Sequence, residues 1–204
     1  GYGVNIFFFI SAFILAIPFI QYHLYNGEKV VLKNYYLRRL RRLELPYLLV
    51  LVVLLLFRII IQHEFWKVEL PHFLSSVFYS HNIVYGRRST INPVAWTLEI
   101  EIQFYVLLPI ILQLFRLKNN LQRRSLIIII LLLWNFIYRY NYSFFEAHHL
   151  RFSIVAYMPV FLTGILVADY YSSLKVKAFS KFWYLDIATI VGFYLVLYQS
   201  DEFV

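Results

Sequence analysis

The chain has 204 residues, is 61% hydrophobic and only 15% charged, and carries a formal net charge of +8. Soluble domains hold about 45–50% apolar and about 25% charged residues, so this composition excludes an ordinary water-soluble globule and points to a polytopic, all-α membrane protein. The chain has no cysteine, which excludes a disulfide framework and thiol chemistry, and its basic balance does not require nucleic acid, because Lys and Arg collect on the cytoplasmic loops of membrane proteins.

Six apolar runs are candidates for spanning helices, roughly 3–20, 45–61, 93–115, 125–138, 152–171 and 182–199. Crossing ~30 Å of hydrocarbon takes about 20 residues, so the second run, broken near its end by Arg58, and the short fourth run are the marginal ones. The loops after the first, third and fifth runs carry 13 Lys and Arg residues, against 5 on the intervening loops. This asymmetry supports six spans and puts the first of those loops in the cytoplasm. The apolar start at Gly1 lacks the charged front of a signal peptide. The sequence is read as one domain over 1–204 and as a piece of a longer protein, incomplete at both ends.

Taken in order, the first run holds Asn5 and Ser11 among aromatic residues. They suit either interhelical hydrogen bonding or the lining of a site. Residues 33–45 predict a separate amphipathic helix on the membrane surface. Arg38, Arg39, Arg41 and Arg42 fall on one arc, Tyr36, Leu37, Leu40, Leu43 and Tyr47 on the other, and Pro46 ends the helix where the second span begins. Four arginines without a lysine fit anionic lipid, at about 1 kcal/mol per basic residue. They fit equally a phosphate-rich cofactor, which the planar guanidinium binds through two hydrogen bonds. Residues 62–92 predict a partly helical exterior cap. Its His63, His72 and His81 lie nine residues apart, which is not the i, i+4 spacing of a metal site, and no metal is expected.

The third run carries Glu99 and Glu101. An ionisable group inside a span costs roughly 2.5–3.5 kcal/mol on insertion scales, so it has a partner or a task. Two residues apart on a helix, the two carboxylates point to different faces. Trp96, Glu99 and Gln103 make one face, and Thr97, Glu101 and Tyr105 the other. The spacing leaves open whether both acids are structural or whether one faces a cavity as a general acid or base. In the later runs, Pro159 and Gly164 permit bending and close helix packing, and Asp169 and Asp186 sit at span ends where they cap or pair.

Three stretches together resemble the membrane-bound acyltransferase type 3 family, the acyl-CoA-dependent O-acyltransferases of cell-surface sugars. Gly3 to Phe13 resembles the family's G-V-D-x-F-F-x-x-S-G-F helix, with Asn5 for Asp and Ala12 for Gly. Tyr36 to Tyr47 resembles its R-x-x-R stretch, met by Arg39 and Arg42, with Arg38 and Arg41 fitting the same spacing. Asn92 to Tyr105 resembles its W-S-L-x-x-E-x-Q-F-Y stretch, with Thr97 for Ser and Glu101 at the acid position. Glu99 is outside that pattern.

The resemblance implies a bundle of about ten spans in a bacterial cytoplasmic membrane, of which this piece holds about six. It implies a membrane O-acyltransferase that moves an acyl group, acetyl in the first instance, from cytoplasmic acyl-CoA to a hydroxyl of a cell-surface or lipid-linked carbohydrate. Arg39 and Arg42, with Arg38, would bind the CoA phosphates. Asn5, Ser11 and Trp96 would line the cavity, and Glu101 would act in catalysis. Acyl-CoA is the co-substrate, and the partners are a carbohydrate acceptor and membrane lipid. The family's catalytic His lies on a helix ahead of Gly1, so none of His23, His63, His72, His81, His148 or His149 inherits that role, and the piece alone should be inactive. The rival is a transporter or flippase of a lipid-linked sugar, which inverted repeats would favour; the sequence has no internal repeat.

Overall fold

The computed structural model describes residues 2–176. The predicted sixth span, with Asp186, and the side chains of Arg42, Lys175 and Val176 lie outside the described residues. Within them the chain is helical throughout: α1 (Tyr2–Leu24), α2 (Leu32–Ile60), α3 (Trp66–Val77), α4 (His81–Tyr85), α5 (Trp96–Ile111), α6 (Asn120–Tyr140), α7 (Tyr142–Ala147) and α8 (Ile154–Val176). Short 3-10 turns at Pro93–Ala95, Leu112–Arg116 and Leu150–Phe152 extend α5 at both ends and precede α8. Five stretches are long and apolar enough to cross a membrane: Tyr2–Leu24, Leu32–Ile60, Pro93–Arg116, Asn120–Tyr140 and Leu150–Leu174. They answer to the first five predicted runs, and the marginal fourth is a full 21-residue helix.

Two compact units share these helices. One takes residues 1–28, 112–132 and the chain from Tyr157 onward; the other takes 29–111 and 133–156.

In the first unit, α1 buries Phe8, Ala12, Leu15, Ala16 and Phe19, one stripe at helical spacing. Phe8 meets the rings of Tyr157 at 5.2 Å and Phe161 at 4.9 Å. Below them the backbones close up. A Cβ on Gly164 would stand 2.5 Å from the carbonyl oxygen of Phe9 and 2.8 Å from the Cβ of Ala12. Ala12 on α1 thus lies against Gly164 on α8, the kind of small-residue contact that lets membrane helices approach.

An ionic clasp joins α6 to α8 in the same unit. Asn119 caps α6 by accepting the backbone N–H of Leu121 at 2.9 Å. Arg123 and Arg124 therefore lie inside the helix and not in the preceding loop, where the sequence reading had counted them. Asp169 accepts from Arg123 at 2.6 Å and from Arg124 Nε at 2.8 Å. Arg123 is fully buried and also donates to the Leu117 carbonyl at 2.6 Å and Asn120 Oδ1 at 2.8 Å. The predicted pairing of Asp169 is thus present, and its partners are these two arginines.

In the second unit, Tyr47, Leu51, Ile91 and Ala95 form a small core that Leu48, Leu55, Phe73 and Leu98 extend. Tyr47 stacks on Tyr79 at 5.1 Å and donates its hydroxyl to the Ser76 carbonyl at 2.9 Å. Arg58, which interrupts the second apolar run, donates to Glu69 at 2.8 Å and to the Thr90 carbonyl at 3.2 Å. That pairing gives the buried Glu69 a hydrogen-bonded partner of opposite sign beside an apolar core. Leu45, Leu49, Val53, Leu56 and Ile60 form an exposed apolar stripe down the opposite side of α2, the face a membrane helix turns to lipid.

One expectation needs correcting. Residues 33–45 are not a separate surface helix. They continue into the span as the first turns of a single 29-residue helix with Pro46 inside it. At 1.5 Å per residue α2 is about 44 Å long and outreaches the hydrocarbon layer. Proline removes one backbone hydrogen bond, and the exposed Pro46 sits inside the helix without ending it. Membrane helices tolerate proline on such terms.

Candidate active site

The second unit holds a linear arrangement along α5. Pro93 opens the 3-10 turn that leads into the helix, a position suited to proline because the first helical N–H has no partner to lose. Trp96, Glu99, Glu101, Phe104 and Tyr105 are all buried.

The two acids diverge as their spacing requires. Glu99 is fully buried and accepts the backbone N–H of Asn82 at 2.9 Å. Asn82 in turn donates its side chain to the Trp96 carbonyl at 3.2 Å. Glu99 therefore ties α4 to the first turn of α5. Glu101 faces another way and accepts a hydrogen bond from the hydroxyl of Tyr105, one turn along the same helix. The Thr97, Glu101 and Tyr105 face read from the sequence exists in this sense.

Arg39 approaches that face from α2. Its guanidinium lies 5.8 Å from the centre of the Tyr105 ring and 6.0 Å from that of Tyr35. A desolvated cation over an aromatic face gains about 2 kcal/mol or more, an exposed one about 0.5–1. The hydroxyl of Tyr35 donates to the Tyr105 carbonyl at 3.3 Å, and that of Tyr36 to the Val106 carbonyl at 3.4 Å. These bonds fix the start of α2 against the second half of α5. Arg38 and Arg41 are exposed, whereas Arg39 is half-buried. Its Nε is buried without a hydrogen-bond partner, and it forms no ion pair among the described residues. Of the two candidate first arginines, Arg39 is the one placed by the Tyr105 ring, and Arg38 is exposed.

At the other end of α5, the Trp96 ring meets Phe152 edge-on at 5.7 Å. The guanidinium of Arg88 lies 5.3 Å from the Trp96 ring centre and 5.7 Å from that of Phe152. Gln103, on the Trp96 and Glu99 face, accepts the backbone N–H of Ile154 at 2.9 Å, and Trp134 donates to the Val155 carbonyl at 2.8 Å. Together they hold the start of α8 in place.

Beyond it, the predicted exterior cap is α3 and α4, folded back so that two histidines from positions nine apart meet. His72 Nδ1 lies 3.0 Å from His81 Nε2, and His81 Nδ1 lies 3.2 Å from the Arg87 carbonyl. Burial holds both imidazoles below the ordinary histidine value.

Asn5 and Ser11 lie on α1 in the first unit, each half-buried. Arg39, Trp96 and Glu101 share the second unit. Sequence reasoning missed Tyr35, Arg88 and Phe152. Tyr35 gave a signal in retrospect, since an aromatic one helical turn before Arg39 can stack beneath it. Phe152 gave none, because nothing local ties it to Trp96, 56 positions earlier.

A family model described as an acyltransferase domain matches residues 1–203. Among curated proteins, the O-acetyltransferases OatA of Staphylococcus aureus strains NCTC 8325 / PS 47, COL and MRSA252 are each 31% identical over 133 residues, covering 59% of this chain and 22% of the relative. The chain therefore spans about a fifth of the length of these relatives. No solved structure matches.

Proposed function

The chain belongs to the membrane-bound acyltransferase type 3 family, and from that premise we propose that it is part of an O-acyltransferase acting on carbohydrate hydroxyls with acyl-CoA as donor. The observation that carries the reading is the Arg39, Tyr105, Glu101 relay. A cation with an unused buried donor stands one aromatic ring away from a membrane-embedded carboxylate. Arg39 suits a CoA phosphate, because a guanidinium offers a planar fork of donors. The excess of Lys and Arg on alternate loops supports a cytoplasmic position for this end of α2, on the side where acyl-CoA is found, with Trp96 toward the opposite side, from which the acceptor would enter.

In the reaction an acceptor hydroxyl oxygen attacks the thioester carbonyl. The C–S bond breaks, an ester forms, and the hydroxyl proton ends on the CoA thiol. Glu101, held by Tyr105, orients or shares that proton with the base. No histidine of residues 1–204 is assigned the base's role.

Equilibrium binding of labelled acetyl-CoA to the full-length protein tests the donor assignment. Arg39→Ala should weaken binding about tenfold or more, since a hydrogen bond to a charged group contributes about 1.5–3 kcal/mol. Arg38→Ala, on the exposed arc, should bind like the parent. Equal binding by parent and Arg39→Ala removes the assignment.

A further inference from the structure

The cluster at the N-terminal end of α5 is not needed to bind a CoA donor, yet it is built with care. Two loops that are distant in sequence are locked together there. Gly86 takes a left-handed backbone, φ 64°, and a Cβ on it would collide with the His149 ring. His149 is itself left-handed, φ 61°, a conformation that is uncommon outside glycine. With Gln103 and Trp134 holding Ile154 and Val155, both loops are fixed, and so is what they carry: Arg88 on one, Arg151 and Phe152 on the other.

Phe152 is flanked by two guanidinium groups, Arg88 at 5.7 Å and Arg151 at 5.8 Å. Arg151 has a partner, Glu146, at 3.3 Å. Arg88 is exposed and makes no hydrogen bond or ion pair among the described residues, although stacking on Trp96 and Phe152 orients it. A planar cation with its edge donors left open, held on the buried Trp96 ring and the half-buried Phe152 ring, matches an anionic group on a ligand. A carboxylate or phosphate takes the guanidinium edge in two parallel hydrogen bonds.

We propose that Arg88, Trp96 and Phe152 form the acceptor platform and select a carbohydrate that carries a carboxylate or phosphate group. This rests on the acyltransferase reading and adds to it the charge of the acceptor and the residue that recognises it. Arg88 acts by binding and takes no part in the transfer.

The test uses full-length protein in nanodiscs and two fluorescent probes of equal length. One is an oligosaccharide of alternating uronic acid and N-acetylhexosamine; the other is its carboxyl-reduced, neutral form. The parent should bind the acidic probe about tenfold or more tightly than the neutral one. Arg88→Ala, at an exposed position, should abolish that preference while acetyl-CoA binding, which reports an intact fold, is unchanged. Arg88→Lys should retain only part of it, because an ammonium keeps the charge and loses the fork. Equal affinity of the parent for both probes, or a preference that survives Arg88→Ala, overturns the platform and leaves the donor site standing. Arg88-dependent binding of the acidic probe by a protein that binds no acetyl-CoA would instead sink the acyltransferase reading alone.

Discussion

At the scale of single residues, the site is a matter of which side chain holds which. Tyr105 donates to Glu101 through its hydroxyl and supports Arg39 through its ring. Tyr105→Phe keeps the ring and removes only the donor. Acetyl-CoA binding should stay as in the parent, while kcat of the full-length enzyme falls about tenfold or more, the scale of losing one hydrogen bond to a charged group. Steady-state kinetics separates the two effects. A fall in donor affinity with kcat intact would mean that Tyr105 serves Arg39 and not Glu101. That Glu101 and Tyr105 share a face was readable from their i, i+4 spacing. That Glu99 points elsewhere, onto the Asn82 backbone, was readable only as a divergence, because a periodicity gives direction along one helix and says nothing about the neighbour it meets.

At the scale of elements, buried charge decides how helices are joined. The Asp169 carboxylate holds Arg123 and Arg124 inside the first unit. Asp169→Asn would leave the fully buried Arg123 without its counter-charge, at a cost of about 3–5 kcal/mol. Thermal unfolding in detergent should show a markedly lower midpoint. The Arg123→Met/Asp169→Leu pair, which removes the two fully buried charges and leaves the part-exposed Arg124, should recover much of the loss. A single variant as stable as the parent would show that the clasp carries no stability. The sequence reading placed Arg123 in a loop because hydropathy alone sets that boundary, whereas the Asn119 cap starts the helix earlier.

The α3 and α4 cap adds a pH dependence. His72 and His81 are held below the ordinary histidine value of 6.5 by burial, with Glu69 opposing the shift at His72 and Arg87 and Arg58 adding to it. A lowered folded-state value means that the neutral form is favoured in the fold. The stability is present above about pH 6.5 and is lost as pH falls through that value toward the depressed folded one. Thermal stability should drop below about pH 6.5, and His72→Gln/His81→Gln should flatten that drop. A drop of equal size in the double variant would place its origin elsewhere.

Over the whole molecule, what the sequence disclosed was what composition and charge determine locally. Apolar runs of about 20 residues became α1, α5 and α8, and the short fourth run became the longer α6. The lone Arg58 in the second run proved compatible with a span because Glu69 pairs with it. The division into two interleaved units and the meetings of Trp96 with Phe152 and of Arg123 with Asp169 depend on tertiary packing, which no local pattern records. The continuity of α2 through Pro46 was misread because a proline signal was given more weight than the lipid-facing stripe that carries the helix past it.

The most direct test is photolabelling. An acetyl-CoA analogue with a diazirine on its short acyl chain is bound to the full-length protein, irradiated and mapped by peptide mass spectrometry. The account predicts saturable labels on α5 between Glu101 and Tyr105 that excess acetyl-CoA displaces and Arg39→Ala removes. Saturable labels found only on helices other than α2 and α5, or labels unchanged by Arg39→Ala, would contradict it.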